Sequence, residues 1–257
     1  MRVVTSLAND TVKAVRALHM RKARDQNGLF LAEGLKCVTE AVDLGVAPHI
    51  LMCSSKAAGH SALVRAAAVA RETIEVTPDI LAKISRRDNP QTVLGVFEQR
   101  YSALADLDPD RSGFIIGLEE VRDPGNLGTI VRTADAAGCA GVVLIGDCCD
   151  PYSVEAVRAT MGSIFAVPIA RASEAEFLAW RASWPGAVIG TLLTSTTDFR
   201  SATYARPGLI LLGNEQAGLT PALAAACDVT VKIPMRGRAD SLNLAVAAGV
   251  MIYAATS

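Results

Sequence analysis

The sequence predicts an α/β protein in which a smaller αβ region precedes a parallel sheet covered by helices on both faces. Three observations carry that expectation. Apolar runs of strand length, Phe114–Leu118, Gly141–Ile145 and Gly208–Leu212, alternate with segments whose apolar residues recur every three or four positions. Strands that are apolar at every position are buried on both faces, as parallel strands are. An acidic, poorly periodic stretch with Pro and Gly, Tyr101–Gly113, has the composition of a linker. It divides the 257 residues into 1–105, an auxiliary domain, and 106–257, the sheet domain.

In the first part, Thr11–Met20 has helical spacing, Leu29–Ala32 is a short strand, and Gly34–Leu44 is a helix with Leu35, Val38, Ala41 and Val42 on one face. His49–Cys53, Thr73–Val76 and Val93–Phe97 follow as strands, with Ser61–Ala70 and Asp79–Ile84 as helices. In the second part, Leu127–Ala137 is helical, with Gly138 where a helix ends. Ser153–Thr160, Ser173–Trp180, Pro221–Ala226 and Ser241–Ala254 are further helices. Ala187–Leu193 and Val229–Ile233 complete the predicted strands. The last helix is apolar all round, from Leu242 through Ile252, and so is expected to be buried.

Composition narrows the function. A hydrophobic fraction of 51% with 20% charged residues supplies a core and excludes a wholly disordered chain. The apolar stretches fall short of the ~20 residues that a membrane-spanning helix needs. The start of the chain has no apolar run before a cleavage site, so the expected compartment is the cytoplasm. The six cysteines form no Cys-x-x-Cys pair, and no histidine lies near two of them, so neither a metal nor a disulfide framework is expected. Cys148 and Cys149 are expected to be a reduced pair in a loop after a strand. No G-x-G-x-x-G follows a strand, which argues against a nicotinamide-dependent oxidoreductase; the Walker A and G-x-S-x-G patterns are missing too. All three histidines, His19, His49 and His60, lie in the first part, away from the polar segments considered next.

Charge is uneven. The net charge is −1, yet residues 1–24 hold Arg2, Lys13, Arg16, Arg21, Lys22 and Arg24 against Asp10 alone, a local +5. That asymmetry fits a polyanion-binding segment; a solvated amphipathic helix would give it equally.

Ligands of parallel sheets bind beyond the carboxyl ends of the strands. Three polar segments lie there. The first is Glu119–Arg132, in which Asp123-Pro124-Gly125-Asn126 is turn chemistry leading into a helix, with Asn126 able to cap it. Arg132 is out of place in an apolar, Ala-rich helix; an arginine laying its stem along the edge of a core would account for it too. The second is Gly213-Asn214-Glu215, a carboxylate-bearing triplet after a buried strand; an ordinary turn in which Gly213 takes an unusual backbone angle is the plainer reading. The third runs from Ile233-Pro234-Met235 through Arg236 and Arg238 to Ser241-Leu242-Asn243, with Ser241 as the expected cap. Asn243 is an amide in the first turn of a buried helix and must find partners there. Free N–H groups at that turn could also meet a ligand.

Read together, these residues resemble the SpoU/TrmH family of SPOUT RNA 2′-O-ribose methyltransferases across nearly the whole chain. Asn126 with Arg132 resembles the first family motif, Gly213-Asn214-Glu215 the second, and Ile233-Pro234-Met235 through Ser241-Leu242-Asn243 the third. Phe30-Leu31-Ala32-Glu33-Gly34, Pro90-Gln91 and the basic segment resemble the family's auxiliary RNA-binding domain. The resemblance implies a C-terminal segment threaded as a trefoil knot, a homodimer, and S-adenosylmethionine held mainly by backbone groups at Thr191, Leu192, Gly213, Asn214, Ile233, Met235 and Leu242, with no metal. It implies catalytic roles for Arg132, Asn126, Glu215, Ser241 and Asn243. It implies RNA contacts from Lys13, Arg16, Arg21, Lys22, Arg24, Arg236 and Arg238. Arginine ordinarily keeps its proton to above pH ~12 and is a poor base. Its expected role is therefore to grip the phosphate beside the target ribose, while Asn126, Glu215, Ser241 and Asn243 hold Arg132 and the ribose. Ribosomal RNA is the expected substrate by analogy. A transfer RNA enzyme, or a non-catalytic RNA-binding protein on the same fold, are the alternatives.

Overall fold

The computed structural model describes residues 1–57, 59–87, 89–107 and 113–257. The chain forms two compact units: Met1–Gln99 with Asp150–Ala166, and Arg100–Cys149 with Val167–Ser257. The sequence division at 105/106 is a single cut, whereas the second segment of the N-terminal unit comes from the middle of the later half.

In the N-terminal unit, β1 (Arg2–Val4), β4 (Glu72–Val76), β3 (Ile50–Cys53), β5 (Val93–Glu98) and β2 (Leu29–Glu33) lie side by side in that order. The pairs β1–β4 and β4–β3 are parallel, and β3–β5 and β5–β2 are antiparallel. Helices α1 (Asp10–Ala17) and α5 (Pro78–Ser85) put Val12, Val15, Ile80 and Ile84 into a core with Leu31, Met52, Ile74 and Val96. Helices α2 (Arg21–Asn27), α3 (Leu35–Asp43) and α4 (Ser61–Val69) complete the first segment. The second segment carries α7 (Val154–Thr160) and joins the unit by aromatic stacking, with Tyr152 4.6 Å from Phe30 and Phe165 4.7 Å from Phe97 between ring centres. Strand β1 and helix α2 are absent from the sequence reading: β1 is three residues long, and α2 is almost wholly polar and shows no periodic apolar face.

In the C-terminal unit, six strands in the order β11 (Val229–Val231), β9 (Ala187–Thr191), β10 (Gly208–Leu212), β6 (Phe114–Glu119), β7 (Gly141–Ile145) and β8 (Ile169–Ala172) form a wholly parallel sheet. Helices α6 (Pro124–Ala136) and α10 (Leu244–Thr256) pack on each other, and α10 also lies on β10 and β6. Helices α8 (Glu174–Arg181) and α9 (Pro221–Ala225) supply Phe177 and Leu223 to a core with Ile115, Val143, Leu209 and Leu211. The sequence missed β8, whose Arg171 is exposed between buried neighbours.

The predicted linker is partly structured. Ser102 bridges to Ala170, Leu104–Asp106 form a short 3-10 turn, and Leu107 is buried, while 108–112 lie outside the described residues. Two helix starts also differ from expectation. Asp123, not Asn126, caps α6, because Pro124 suits the first helical position and the Asp123 carboxylate accepts from Asn126 N–H at 2.6 Å. Asn243, not Ser241, caps α10, accepting from the N–H groups of Ala245 and Val246 at 2.9 and 3.3 Å. Helix α10 is not buried all round: Val246 and Tyr253, two turns apart, are 53% and 52% exposed. Among the described residues no helix is long and apolar enough to cross a membrane. All six cysteines are free thiols.

Candidate functional site

The loops after β9, β10 and β11 and the start of α10 enclose a cleft of about 400 Å3 at the carboxyl edge of the parallel sheet. All seven residues expected to hold a cofactor line it: Thr191, Leu192, Gly213, Asn214, Ile233, Met235 and Leu242. Leu193, Gln216, Gly218, Leu219 and Lys232 line it as well. They were missed because they are ordinary loop residues, with no signal beyond their place after a strand.

The loop after β10 explains why its first residue is glycine. The expected unusual backbone angle belongs to Gly218, at φ 72°, and not to Gly213. At Gly213 the constraint is space: a Cβ there would lie 2.1 Å from the Gly218 carbonyl carbon and 2.2 Å from Leu219 N. The loop folds back on itself so tightly that backbone lies on backbone. Asn214 fastens the turn. Its Oδ1 accepts from Gln216 and Ala217 N–H at 2.9 and 3.1 Å, and its Nδ2 donates to Glu120 O at 2.8 Å.

Beside the cleft three of the expected catalytic residues form one chain of hydrogen bonds. Glu215 accepts from Asn126 Nδ2 at 3.3 Å and from the N–H groups of Arg122 and Asp123 at 3.4 and 3.5 Å. Asn126 Oδ1 accepts from Asn243 Nδ2 at 2.9 Å. The amide orientations follow from chemistry. A carboxylate only accepts, so Asn126 must turn its NH2 to Glu215 and its oxygen to Asn243. Asn243 already spends its oxygen on capping α10, so its NH2 must face Asn126. The partners demanded by the Asn243 amide are thereby found. Ser241 lines the cleft but joins none of these bonds. Arg132 is exposed on α6, about 9 Å along the helix axis from Asn126, and makes no hydrogen bond or ion pair among the described residues. The expectation that Asn126, Glu215, Ser241 and Asn243 hold Arg132 is therefore corrected: Glu215, Asn126 and Asn243 hold one another.

Two neighbours escaped the sequence reading. Arg122 is gripped by Glu120 at 2.9 Å and Asp147 at 3.1 Å, on an exposed surface where such pairs contribute little stability. Glu119, buried at the end of β6, accepts from Thr220 N–H at 2.8 Å, and loss of hydration pushes its pKa up. The thiols do not offer a nucleophile: burial pushes Cys37 to about 12 and Cys148 and Cys227 to about 11.

The cations expected to meet RNA divide. Lys13 and Arg21 are exposed and pair locally with Asp10 at 3.1 Å and Asp25 at 3.6 Å. Arg16, Lys22, Arg236 and Arg238 are exposed. Arg24 is a correction. It is 3% exposed; its Nε and Nη2 donate to Asp150 at 2.8 and 2.6 Å, and its Nη1 donates to Leu18 O and His19 O at 2.8 and 3.0 Å. A guanidinium whose donors are spent in the interior has none for a phosphate. Nothing in the local sequence separates Arg24 from Arg21, because its partner lies 126 positions away.

The cleft suits S-adenosylmethionine: Leu192, Ile233, Met235 and Leu242 give apolar walls for a ring, and Asn214 and Ser241 add polar groups. Comparison with known proteins agrees. The SpoU rRNA Methylase family model matches residues 113–253, and that of the MRM3-like substrate binding domain matches residues 9–95. The chain is 34% identical to the 23S rRNA (uridine(2479)-2′-O)-methyltransferase of Streptomyces viridochromogenes, over 91% of this chain and 85% of that protein. It is 29% identical to the 23S rRNA (guanosine(2553)-2′-O)-methyltransferase RlmP of Bacillus subtilis, over 98% of each. The crystal structure of an AdoMet-bound rRNA methyltransferase from Sinorhizobium meliloti superposes with a TM-score of 0.92 at 47% identity, covering 99% of this chain and 97% of that one.

Proposed function

The chain belongs to the SpoU rRNA methylase family, and from that footing we propose that it methylates a ribose 2′-hydroxyl in ribosomal RNA, with S-adenosylmethionine as methyl donor. The observation that carries this reading is the meeting, at one sheet edge, of a cleft lined by the loops after three strands and the Glu215–Asn126–Asn243 chain.

Bound S-adenosylmethionine supplies a methyl group activated by its positive sulfur. The protein's part is placement. Thr191, Leu192, Gly213, Asn214, Ile233, Met235 and Leu242 hold the donor through peptide groups and apolar contacts. Glu215, Asn126 and Asn243 arrive at the reaction already bonded to one another, so ordering them costs little at the transition state. Arg132, with its donors free, grips the phosphate beside the target ribose bidentately and sets the hydroxyl in line. Ser241 contributes a hydroxyl at the rim. Lys13, Arg16, Arg21, Lys22, Arg236 and Arg238 track RNA phosphates.

Two further features belong to the same proposal. The chain is threaded as a knot: it leaves the edge strand β11 and returns as α10 onto β10 and β6 in the middle of the sheet. The enzyme is a homodimer through α10, whose half-exposed Val246 and Tyr253 form an apolar stripe.

The test is transfer of labelled methyl from S-adenosylmethionine to total RNA, separated by size, from cells lacking the gene. Label in one ribosomal RNA, resistant to alkali at a single linkage, is expected. Label confined to transfer RNA would overturn the substrate. No label, from a protein that binds the donor, would overturn the activity.

A further inference from the structure

The N-terminal unit carries its own cavity, of about 290 Å3, lined by none of the cations that the sequence assigned to RNA. Its wall is built around Glu33, at the end of β2, whose side chain is 3% exposed. Two donors of Arg158, on α7, reach that carboxylate at 3.0 and 2.9 Å, and Nη2 donates also to Ser85 O at 2.9 Å. One buried charge thus neutralises and fixes one guanidinium, whose Nη1 makes no hydrogen bond among the described residues.

Three observations point into this space. Lys36 and Arg87 line it, are exposed, and form no ion pair among the described residues. The described lining therefore has three cations and a single carboxylate. Helix α3 begins here after Gly34, at φ 94° and with no side-chain cap, and the N–H groups of Leu35, Lys36 and Cys37 find no acceptor among the described residues. Met161 of the returning segment, 46% exposed, gives the cavity an apolar surface. Free cations, open amides and an apolar wall in one cavity are the complement of a nucleotide: anionic at the phosphate and apolar on the face of the base.

We propose that this cavity seats one nucleotide of the RNA substrate, its phosphate between Lys36, Arg87 and the first turn of α3, and its base against Met161. The proposal rests on the reading that the substrate is RNA. It assigns the unit a built pocket in addition to the diffuse positive surface of α1 and α2.

The experiment measures binding of the full-length protein to protein-free 23S rRNA from cells lacking the gene, across a range of salt. In the Lys36→Ala, Arg87→Ala double variant, affinity falls about tenfold near 0.1 M salt and the slope of log K against log salt drops by about two. The Lys36→Arg, Arg87→Lys variant retains both, and donor binding by calorimetry is unchanged in each. Met161→Asp, which puts a carboxylate on the apolar side, weakens RNA binding as well. If the double alanine variant keeps the wild-type affinity and slope, or loses no more than a Lys56→Ala, Arg65→Ala control, the pocket is refuted. Failure of the functional reading is told apart by the wild type: a protein that methylates RNA but is indifferent to these changes overturns the pocket alone. One that binds the donor but neither binds nor methylates RNA overturns both.

Discussion

Beside the cleft of the C-terminal unit, polar side chains are bonded to one another, Glu215 to Asn126 and Asn126 to Asn243. Around the cavity of the N-terminal unit the cations Lys36 and Arg87 are exposed and form no ion pair among the described residues. The first arrangement suits the proposed reaction, because groups fixed before the substrate arrives need no ordering at the transition state. The second suits the proposed capture of RNA, because a phosphate chain is drawn by charges that release counterions when it binds. Arg132 belongs with the second kind by its freedom and with the first by its place on α6.

Substitutions can break this contrast. The largest effect is expected from Arg132→Ala, which should lower methyl transfer on the order of 10²–10⁴-fold while donor affinity stays near wild type; survival of activity in a single-turnover assay would remove Arg132 from the mechanism. Arg24→Ala should cost about 3–5 kcal/mol in thermal or urea unfolding, because it takes the guanidinium away from the buried Asp150 carboxylate. A change as small as an exposed lysine gives would mean that Arg24 is a surface group after all. Gly213→Ala drives a methyl group into the Gly218 carbonyl. It should cost about 1–3 kcal/mol of stability or donor affinity, read by calorimetry, where Gly237→Ala, in open space, costs little.

Glu215→Gln is subtler. The amide can keep one acceptor but must set an NH2 against donors, so the rate should fall about 10- to 100-fold with stability nearly unchanged. A normal rate would show that the chain of bonds does not need a carboxylate. The smallest effect concerns Glu119. Its folded pKa lies above the unfolded value, so the native state binds the proton more tightly, and stability falls as pH rises through that window. Glu119→Gln should flatten the melting temperature between pH 4 and pH 7 relative to wild type; parallel curves would mean that burial does not perturb this carboxyl.

Much of the active site was legible because its chemistry is local. Pro124 and Asp123 announce the start of α6, Gly213 marks a close approach of backbone, and the order of the three motifs fixes which strand ends carry them. The seven residues that the family resemblance assigns to the methyl donor all line the cleft. The caps were misplaced by three and two residues because Asp123 and Asn126, like Ser241 and Asn243, are equally good caps in isolation.

The sequence by itself determined the parallel sheet and the position of the polar segments at its carboxyl edge, since strand period and turn chemistry are properties of neighbours along the chain. Tertiary structure alone decided that residues 150–166 complete the N-terminal unit, that Arg24 is an interior ion pair and not an RNA contact, and that α10 keeps an exposed apolar stripe. Each of these depends on which distant residue comes to lie opposite, Asp150 for Arg24 and Glu33 for Arg158. A charge or an apolar face carries no mark of its partner until the chain has folded.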